Sequence, residues 1–286
     1  MPKEIVHWAI AEIARQNLSE NSLLKKAIDN HHSEYLIGSI AFDIPYYDFF
    51  ARDSKEMNKV GSRLHGINLK KAETHYVEII TYYGKNPPEY VWAFIAGSFC
   101  HAITDITFHP VVNSIAKDSI EKHRKIETEL DLFYLDRVKL PSMSMSKILS
   151  RIRIKRNDFL TLLSLFIFGK NKNFNEKVSS ILIKYKLFQY IIRKRFFHFL
   201  FNIINSMYKN RFKEFLPLFY KNFKKRNFQI FENPLVVSEK NLEKNATKEI
   251  LKGFERLEKL IKKSDNFSEI KDFFKDFYFP PLTGEN

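Results

Sequence analysis

The chain has 286 residues and a mass of 34.0 kDa, and 44% of its residues are hydrophobic, which fits one large domain or two small ones and excludes a disordered tail. Its single cysteine, Cys100, excludes a disulfide framework and a multi-cysteine zinc ribbon, and eight glycines, none between Gly169 and Gly253, argue against a β-protein built on tight turns. Forty-seven Lys and Arg stand against 33 Asp and Glu, and the net charge of +14 points to an anionic partner: a membrane, a nucleic acid or a phosphorylated substrate. That charge is divided unevenly. Residues 1–140 hold 17 bases and 19 acids, a net of −2, and residues 141–286 hold 30 and 14, a net of +16. Eight of the nine histidines lie at or before His123, and only His198 falls later. The front half concentrates metal-ligand chemistry, and the back half concentrates cationic surface.

Ile5, Trp8, Ile10, Ile13 and Ala14 recur near helical spacing, so residues 3–16 read as a first helix. The preceding Met1-Pro2-Lys3-Glu4 lacks the charged and apolar regions of a secretory signal. Leu23 to Asn30 continues in helical style. The apolar stretch from Tyr35 breaks at Pro45 and reads as a buried helix whose end delivers Asp43 to a loop. Lys70 to Tyr83 predicts another helix, closed by Gly84 and Asn86-Pro87-Pro88. Glu89 to His109 predicts a long apolar helix ended by Pro110, and Val111 to Asp136 a further one closed by Pro141. After Met143 the composition changes: Lys147 to Arg226 holds 20 bases, three acids, 13 Phe and four Tyr. Asn233-Pro234 marks a boundary, and Ser238 to Lys263 returns to an amphipathic helix. No run reaches the ~18 apolar residues of a membrane span, and the longest candidate is Phe159 to Phe168. The expectation is an all-α protein, cytoplasmic and either soluble or peripheral at the inner membrane surface. Its parts would be a metal-binding core over 1–140, a basic helical subdomain over 141–234, and C-terminal helices over 235–286 that pack back on the core.

The most informative segment places His101, Asp105 and His109 at spacing four on one predicted helix. Each four-residue step turns by ~400°, so successive ligands drift only ~40° around the axis and all three face one cavity. His123 and Glu127 form a second pair at the same spacing. Histidine with carboxylate suits zinc, and pairs at i, i+4 are the usual helical way to present them. A lone histidine is most often structural. Three polar ligands inside an apolar helix beside Phe94, Ile95, Phe99 and Cys100 are different, because unpartnered burial would cost several kcal/mol. Metal coordination removes that cost. His31, His32 and His75 read as structural, the first two in a loop and His75 on a helix, and His198 reads as part of an amphipathic surface.

Several pieces occur in one order: His7-Trp8 on the first helix, Gly38 to Pro45 around Asp43, Gly61-Ser62-Arg63-Leu64-His65-Gly66, the His101/Asp105/His109 helix, and His123/Glu127 followed by Asp131. Together they resemble the zinc-dependent phospholipase C family, which is related in fold to the fungal single-strand nucleases. The resemblance covers roughly residues 1–140, with the helix near 238–263. It implies an α-helical bundle around a multinuclear zinc centre. By that resemblance His65, His101 and Asp105 hold one ion, and His109, His123 and Glu127 hold a second. Asp105 bridges to a third, together with His7. Secreted members complete that third position with a processed N-terminal tryptophan. Here Trp8 follows His7, so either the Met1 or Pro2 amine completes the position or it is loose or empty. Asp43 occupies the position of the general base that orients the attacking water, although Phe42 stands where a proline usually precedes it. A helix-terminal cap is the plainer role for such an aspartate.

The implied activity is a zinc-dependent phosphodiester hydrolase of phospholipase C type. Two other readings remain: a nuclease-like phosphodiesterase, and a non-catalytic, metal-stabilised protein that binds membrane surfaces. The basic segment 147–226 has a net charge of +17 and mixes apolar and cationic residues, as interfacial helices do. It points first to an anionic membrane surface and less to single-stranded nucleic acid. The plainer alternative is a phenylalanine core with a basic skin.

Overall fold

The computed structural model describes residues 4–48, 52, 54–117, 119–137, 144–169, 174–220, 239–263 and 266–283. All regular structure there is helical, with no strand among the described residues, as the all-α expectation requires. In chain order the helices are α1 (Glu4–Gln16), α2 (Leu23–Asn30), α3 (His32–Gly38), α4 (Ser54–Leu64), α5 (Tyr76–Tyr83), α6 (Glu89–Ala116) and α7 (Ile120–Arg137). There follow α8 (Met145–Leu149), α9 (Arg156–Phe168), α10 (Asn175–Ile192), α11 (Arg195–Met207), α12 (Glu239–Lys262) and α13 (Phe267–Asp276). Short 3-10 turns occupy Ile44–Tyr47 and Lys213–Leu218.

Helix α6 is the axis of the fold. Every residue from Val91 to Ala102 is buried, so this stretch is enclosed on all sides. Helices α1, α2, α3, α7 and α12 pack around it. Contrary to the expectation of no such segment, α6 is long and apolar enough to cross a membrane by length and composition. However, 83% of its apolar window is buried inside the fold, so its apolar surface is already covered by protein.

Three boundaries differ from the sequence pattern. Helix α6 passes through Pro110 and ends at Ala116. Proline removes one backbone hydrogen bond at a cost of ~3 kcal/mol, and Phe108, Val112 and Ala116, all buried around it, hold the helix together. The expected continuous helix from Val111 breaks at Lys117, which takes a left-handed conformation at φ 47°. That reversal lets α7 return along α6 and α1. Residues 70–75 are not helical, because tertiary contacts capture their backbone: Ala72 N donates to Phe279 O (2.9 Å) and Glu73 N to Arg63 O (3.0 Å).

The basic segment is bonded to the front half. Phe166 on α9 lies edge-on to Phe42 (5.0 Å) and Phe94 (5.3 Å). Tyr185 on α10 stacks on Tyr47 at 3.6 Å. Buried Asp48 pairs with Lys177 and Lys184, and Gln189 donates to Glu4. The expected boundaries at Pro141 and Asn233-Pro234 lie outside the described residues.

Helices α3 and α6 approach through two glycines. A Cβ on Gly97 would stand 2.0 Å from the Tyr35 carbonyl oxygen, and one on Gly38 would stand 2.2 Å from the Phe94 carbonyl oxygen. The close approach brings the Ser39 carbonyl within 3.0 Å of His101 Nδ1. Alanine at Gly97 would gain about 1 kcal/mol of helix propensity, but forcing the helices apart costs about 2–3 kcal/mol. The clash wins. Gly97→Ala is therefore expected to lower the Tm in thermal denaturation followed by circular dichroism. A Tm at or above the parent's would contradict this packing.

Candidate metal centre

Five elements deliver the centre. Helix α1 brings His7, the turn after α3 brings Asp43, and the end of α4 brings His65. Helix α6 brings His101, Asp105 and His109, and α7 brings His123 and Glu127. Asp105 is fully buried at the middle. Its Oδ1 faces His7 Nε2 at 3.4 Å and His109 Nε2 at 3.3 Å. Its Oδ2 faces His101 Nε2 at 3.1 Å and His65 Nε2 at 3.6 Å. One carboxylate thus serves two groups of imidazoles, one at each oxygen.

Asp43 joins the second group. Its Oδ1 lies 3.1 Å from His65 Nε2 and 3.9 Å from His101 Nε2. Asp43, His65 and His101 each point one donor atom into a common space, as do His7, His101 and Asp105. The sequence pattern gives Asp43 only to the water; the geometry also puts it among the donors. No side-chain hydrogen bond makes it a helix cap.

Metal coordination fits this arrangement on its hydrogen bonding. Eight buried atoms here make no hydrogen bond: His7 Nδ1 and Nε2, the Nε2 atoms of His65, His101 and His109, Asp43 Oδ1, and both oxygens of Asp105. At ~1–3 kcal/mol for each unsatisfied atom, the total rivals the ~5–15 kcal/mol that holds a whole domain folded. A cation among them removes the penalty. Two of the rings are already oriented for one. His65 Nδ1 pairs with Gly61 O at 2.8 Å and His101 Nδ1 with Ser39 O. A proton on Nδ1 leaves the Nε2 lone pair free for a metal.

Electrostatics agree. Burial, reinforced by His101 stacked at 4.0 Å, pushes His7 down to about 3, so its imidazole is neutral at physiological pH. Burial works to raise Asp105, but His101, His109 and His7 outweigh it and hold the carboxyl well below its ordinary range. Asp43 follows the same pattern, held down by His101 and His65 against burial. Burial works to lower His101, but Asp105 and Asp43 in turn outweigh it and raise the ring, while burial lowers His109 as it does His7. A neutral His7 and charged carboxylates are the forms that bind metal.

The outer pair is set slightly apart. His123 Nε2 lies 2.8 Å from Glu127 Oε1, and the His123 ring is 5.8 Å from that of His109. His109 therefore stands between Asp105 and the outer pair. The His123 side chain is 23% exposed, against 5% or less for the other seven, so the centre is most open on that side.

Other residues singled out in the sequence are structural. Trp8 donates its indole N–H to Leu36 O at 3.0 Å, away from the donors. Asp131 accepts from Val6 N and Tyr220 Oη. His32 pairs with Glu12, and His31 lies edge-on to Tyr90. His75 precedes α5, not within a helix as expected, and contacts Phe166 O and Glu73. His198 is half-buried against Phe219. Met1 and Pro2 lie outside the described residues. The carbonyls of Gly61 and Ser39 were not legible as parts of the site. Gly61 sits four residues before His65, a helical spacing that offers a signal, whereas Ser39 offers none.

A helical bundle that buries histidines and aspartates around a shared carboxylate has the donor set of a metal-binding protein. Residues 6–169 match the zinc-dependent phospholipase C family, and the chain belongs to that family. Comparisons with curated proteins and with solved structures give no match. The family is one of phospholipid phosphodiesterases that depend on zinc.

Asp105→Asn keeps the shape of the central side chain but removes the charge between two groups of ligands. It is expected to lose at least one equivalent of bound zinc by elemental mass spectrometry, with helix content unchanged. Full zinc content in this variant would contradict the bridging role.

Proposed function

We propose that the chain hydrolyses phospholipids on the glycerol side of the phosphate, releasing diacylglycerol and a phosphorylated head group. The eight unsatisfied donor atoms around Asp105 carry this reading, with the family match as its context. One ion would be held by Asp43, His65, His101 and Asp105, and a second by His109, His123 and Glu127. His7 with Asp105 would hold a third. Bound zinc supplies Lewis acidity, which activates water at neutral pH and stabilises charge on the phosphoryl group.

The chain's own residues do the rest. Gly61 O and Ser39 O fix the His65 and His101 rings, so the donors need little reorganisation as charge develops. Asp43 turns Oδ1 toward His65 and His101, and in this reading its second oxygen orients the attacking water and accepts its proton. As the water oxygen bonds to phosphorus, the bond from phosphorus to the glycerol oxygen breaks. That oxygen takes a proton from solvent water to leave as the hydroxyl of diacylglycerol, while Asp43 returns its proton to solvent. The part-exposed edge at His123 would admit the head group.

The test pairs elemental analysis with hydrolysis of phosphatidylcholine, with and without a chelator. Diacylglycerol release that stops with chelator and returns with zinc is the expected result. Stoichiometric zinc without turnover of lipid or nucleotide diesters would instead favour a non-catalytic, metal-stabilised protein. Asp43→Asn is expected to slow hydrolysis about a hundredfold or more while retaining more zinc than Asp105→Asn, because it serves one ion position instead of two. Unchanged turnover in Asp43→Asn would remove this aspartate from the chemistry.

A further inference from the structure

Helix α11 is built inside out. At 100° per residue, Phe196, Phe199, Leu200, Ile203 and Met207 fall within about 100° of one another on one face. All five are exposed, Phe196 by 67%, Phe199 by 64% and Met207 by 75%. The opposite side meets the protein with polar groups beside half-buried Phe201, which packs on Phe219 at 5.4 Å. Asn205 is buried there, donating to Asn210 Oδ1 and accepting from Phe212 N. Asn202 bonds to His198, which packs on Phe219. A surface helix in a soluble protein normally turns its apolar stripe inward. Neighbouring α10 adds exposed Ile183, Leu187 and Tyr190 at the same helical spacing.

Cations flank this face at both ends. Lys194 and Arg195 are exposed at the start of α11, and Lys209 and Arg211 just beyond its end. None of the four forms an ion pair with a carboxylate among the described residues, while Lys213 nearby does, with Glu121. An apolar stripe between unpaired cations matches the layering of an anionic lipid surface, with acyl chains below and phosphates around them. A second copy of the chain fits less well, because a two-fold contact would bring like charges at each end together.

We infer that α11 is an interfacial anchor that lays Phe196, Phe199, Leu200, Ile203 and Met207 into an anionic bilayer while its terminal cations engage lipid phosphates. The inference extends the reading of the chain as a phospholipid hydrolase, and the fold links the two. The Lys213–Leu218 turn that packs against α11 also packs against α7. Thr128 Oγ1 donates to Pro217 O at 2.8 Å, and Arg124 donates to Glu214 O and lies over the Phe215 ring. Helix α7 carries His123, the open edge of the metal centre. An anchored α11 would hold that edge next to the lipid.

The experiment uses the full chain with vesicles of phosphatidylcholine and phosphatidylserine. The parent is expected to co-sediment with them, less so at high salt. The double variant Phe196→Ser/Phe199→Ser is expected to lose vesicle affinity by about a hundredfold, with unchanged helix content and unchanged turnover of a short-chain phosphatidylcholine kept monomeric. A second variant, Met207→Trp, preserves the apolar face and is expected to show a blue-shifted emission on adding vesicles. If no diester is hydrolysed but vesicle binding still depends on Phe196 and Phe199, the hydrolase reading fails and the anchor stands. Equal vesicle binding by parent and double variant, or an unshifted tryptophan, overturns the anchor. So does a double variant whose only change is from dimer to monomer, or a parent that binds single-stranded oligonucleotide and not vesicles.

Discussion

A charged carboxylate placed among four imidazoles in the centre of an apolar bundle is the constraint on which this structure turns. Asp105 is fully buried, each of its oxygens faces two histidine nitrogens, and none of those contacts is a hydrogen bond. A folded chain of ordinary stability does not carry so many unsatisfied buried atoms without a compensating charge. The rest of the front half can be understood as the means of bringing donors to that carboxylate. The glycine crossing of α3 and α6 supplies Ser39 O, the end of α4 supplies His65 together with Gly61 O, and the left-handed turn at Lys117 sends α7 back with His123 and Glu127.

The same folding logic explains why the cationic half is not a detached appendage. Tyr185 stacks on Tyr47 two residues beyond Pro45, and Lys177 and Lys184 neutralise buried Asp48 on the same loop. The loop that positions Asp43 is thereby clamped from outside. Part of the positive charge is spent on this loop, and part remains unpaired beside the outward apolar face of α11. Phenylalanines divide in the same way, with Phe159 and Phe166 in the core and Phe196 and Phe199 on the surface.

Much of this was legible in the sequence because it is local. Spacing four along α6 and α7 puts ligands on one helical face whatever the tertiary structure does, and the apolar run around His101 marks burial. The segment around Asp43 could be recognised by its glycine and proline, and the amphipathic pattern of 238–263 matched α12 closely. What escaped the sequence is non-local. Residues 70–75 have helical composition but are captured by Phe279 and Arg63 from distant parts of the chain. Pro110 signals a stop that the surrounding core overrides, and Lys117 turns the chain without the glycine that usually marks such a reversal. Asp43 could be placed near the centre from its loop, but its 3.1 Å approach to His65 depends on how two separate turns meet. The outward face of α11 was also hidden, because phenylalanines at 196, 197, 199 and 201 spread round the helix and are compatible with either orientation until Asn205 is seen to point inward.

Anomalous diffraction at the zinc edge on zinc-loaded crystals tests the central claim most directly. The account predicts an anomalous peak in contact with Nε2 of both His65 and His101 and with Asp105. Zinc found only away from Asp105, with those ring nitrogens hydrogen-bonded to protein instead, would contradict it.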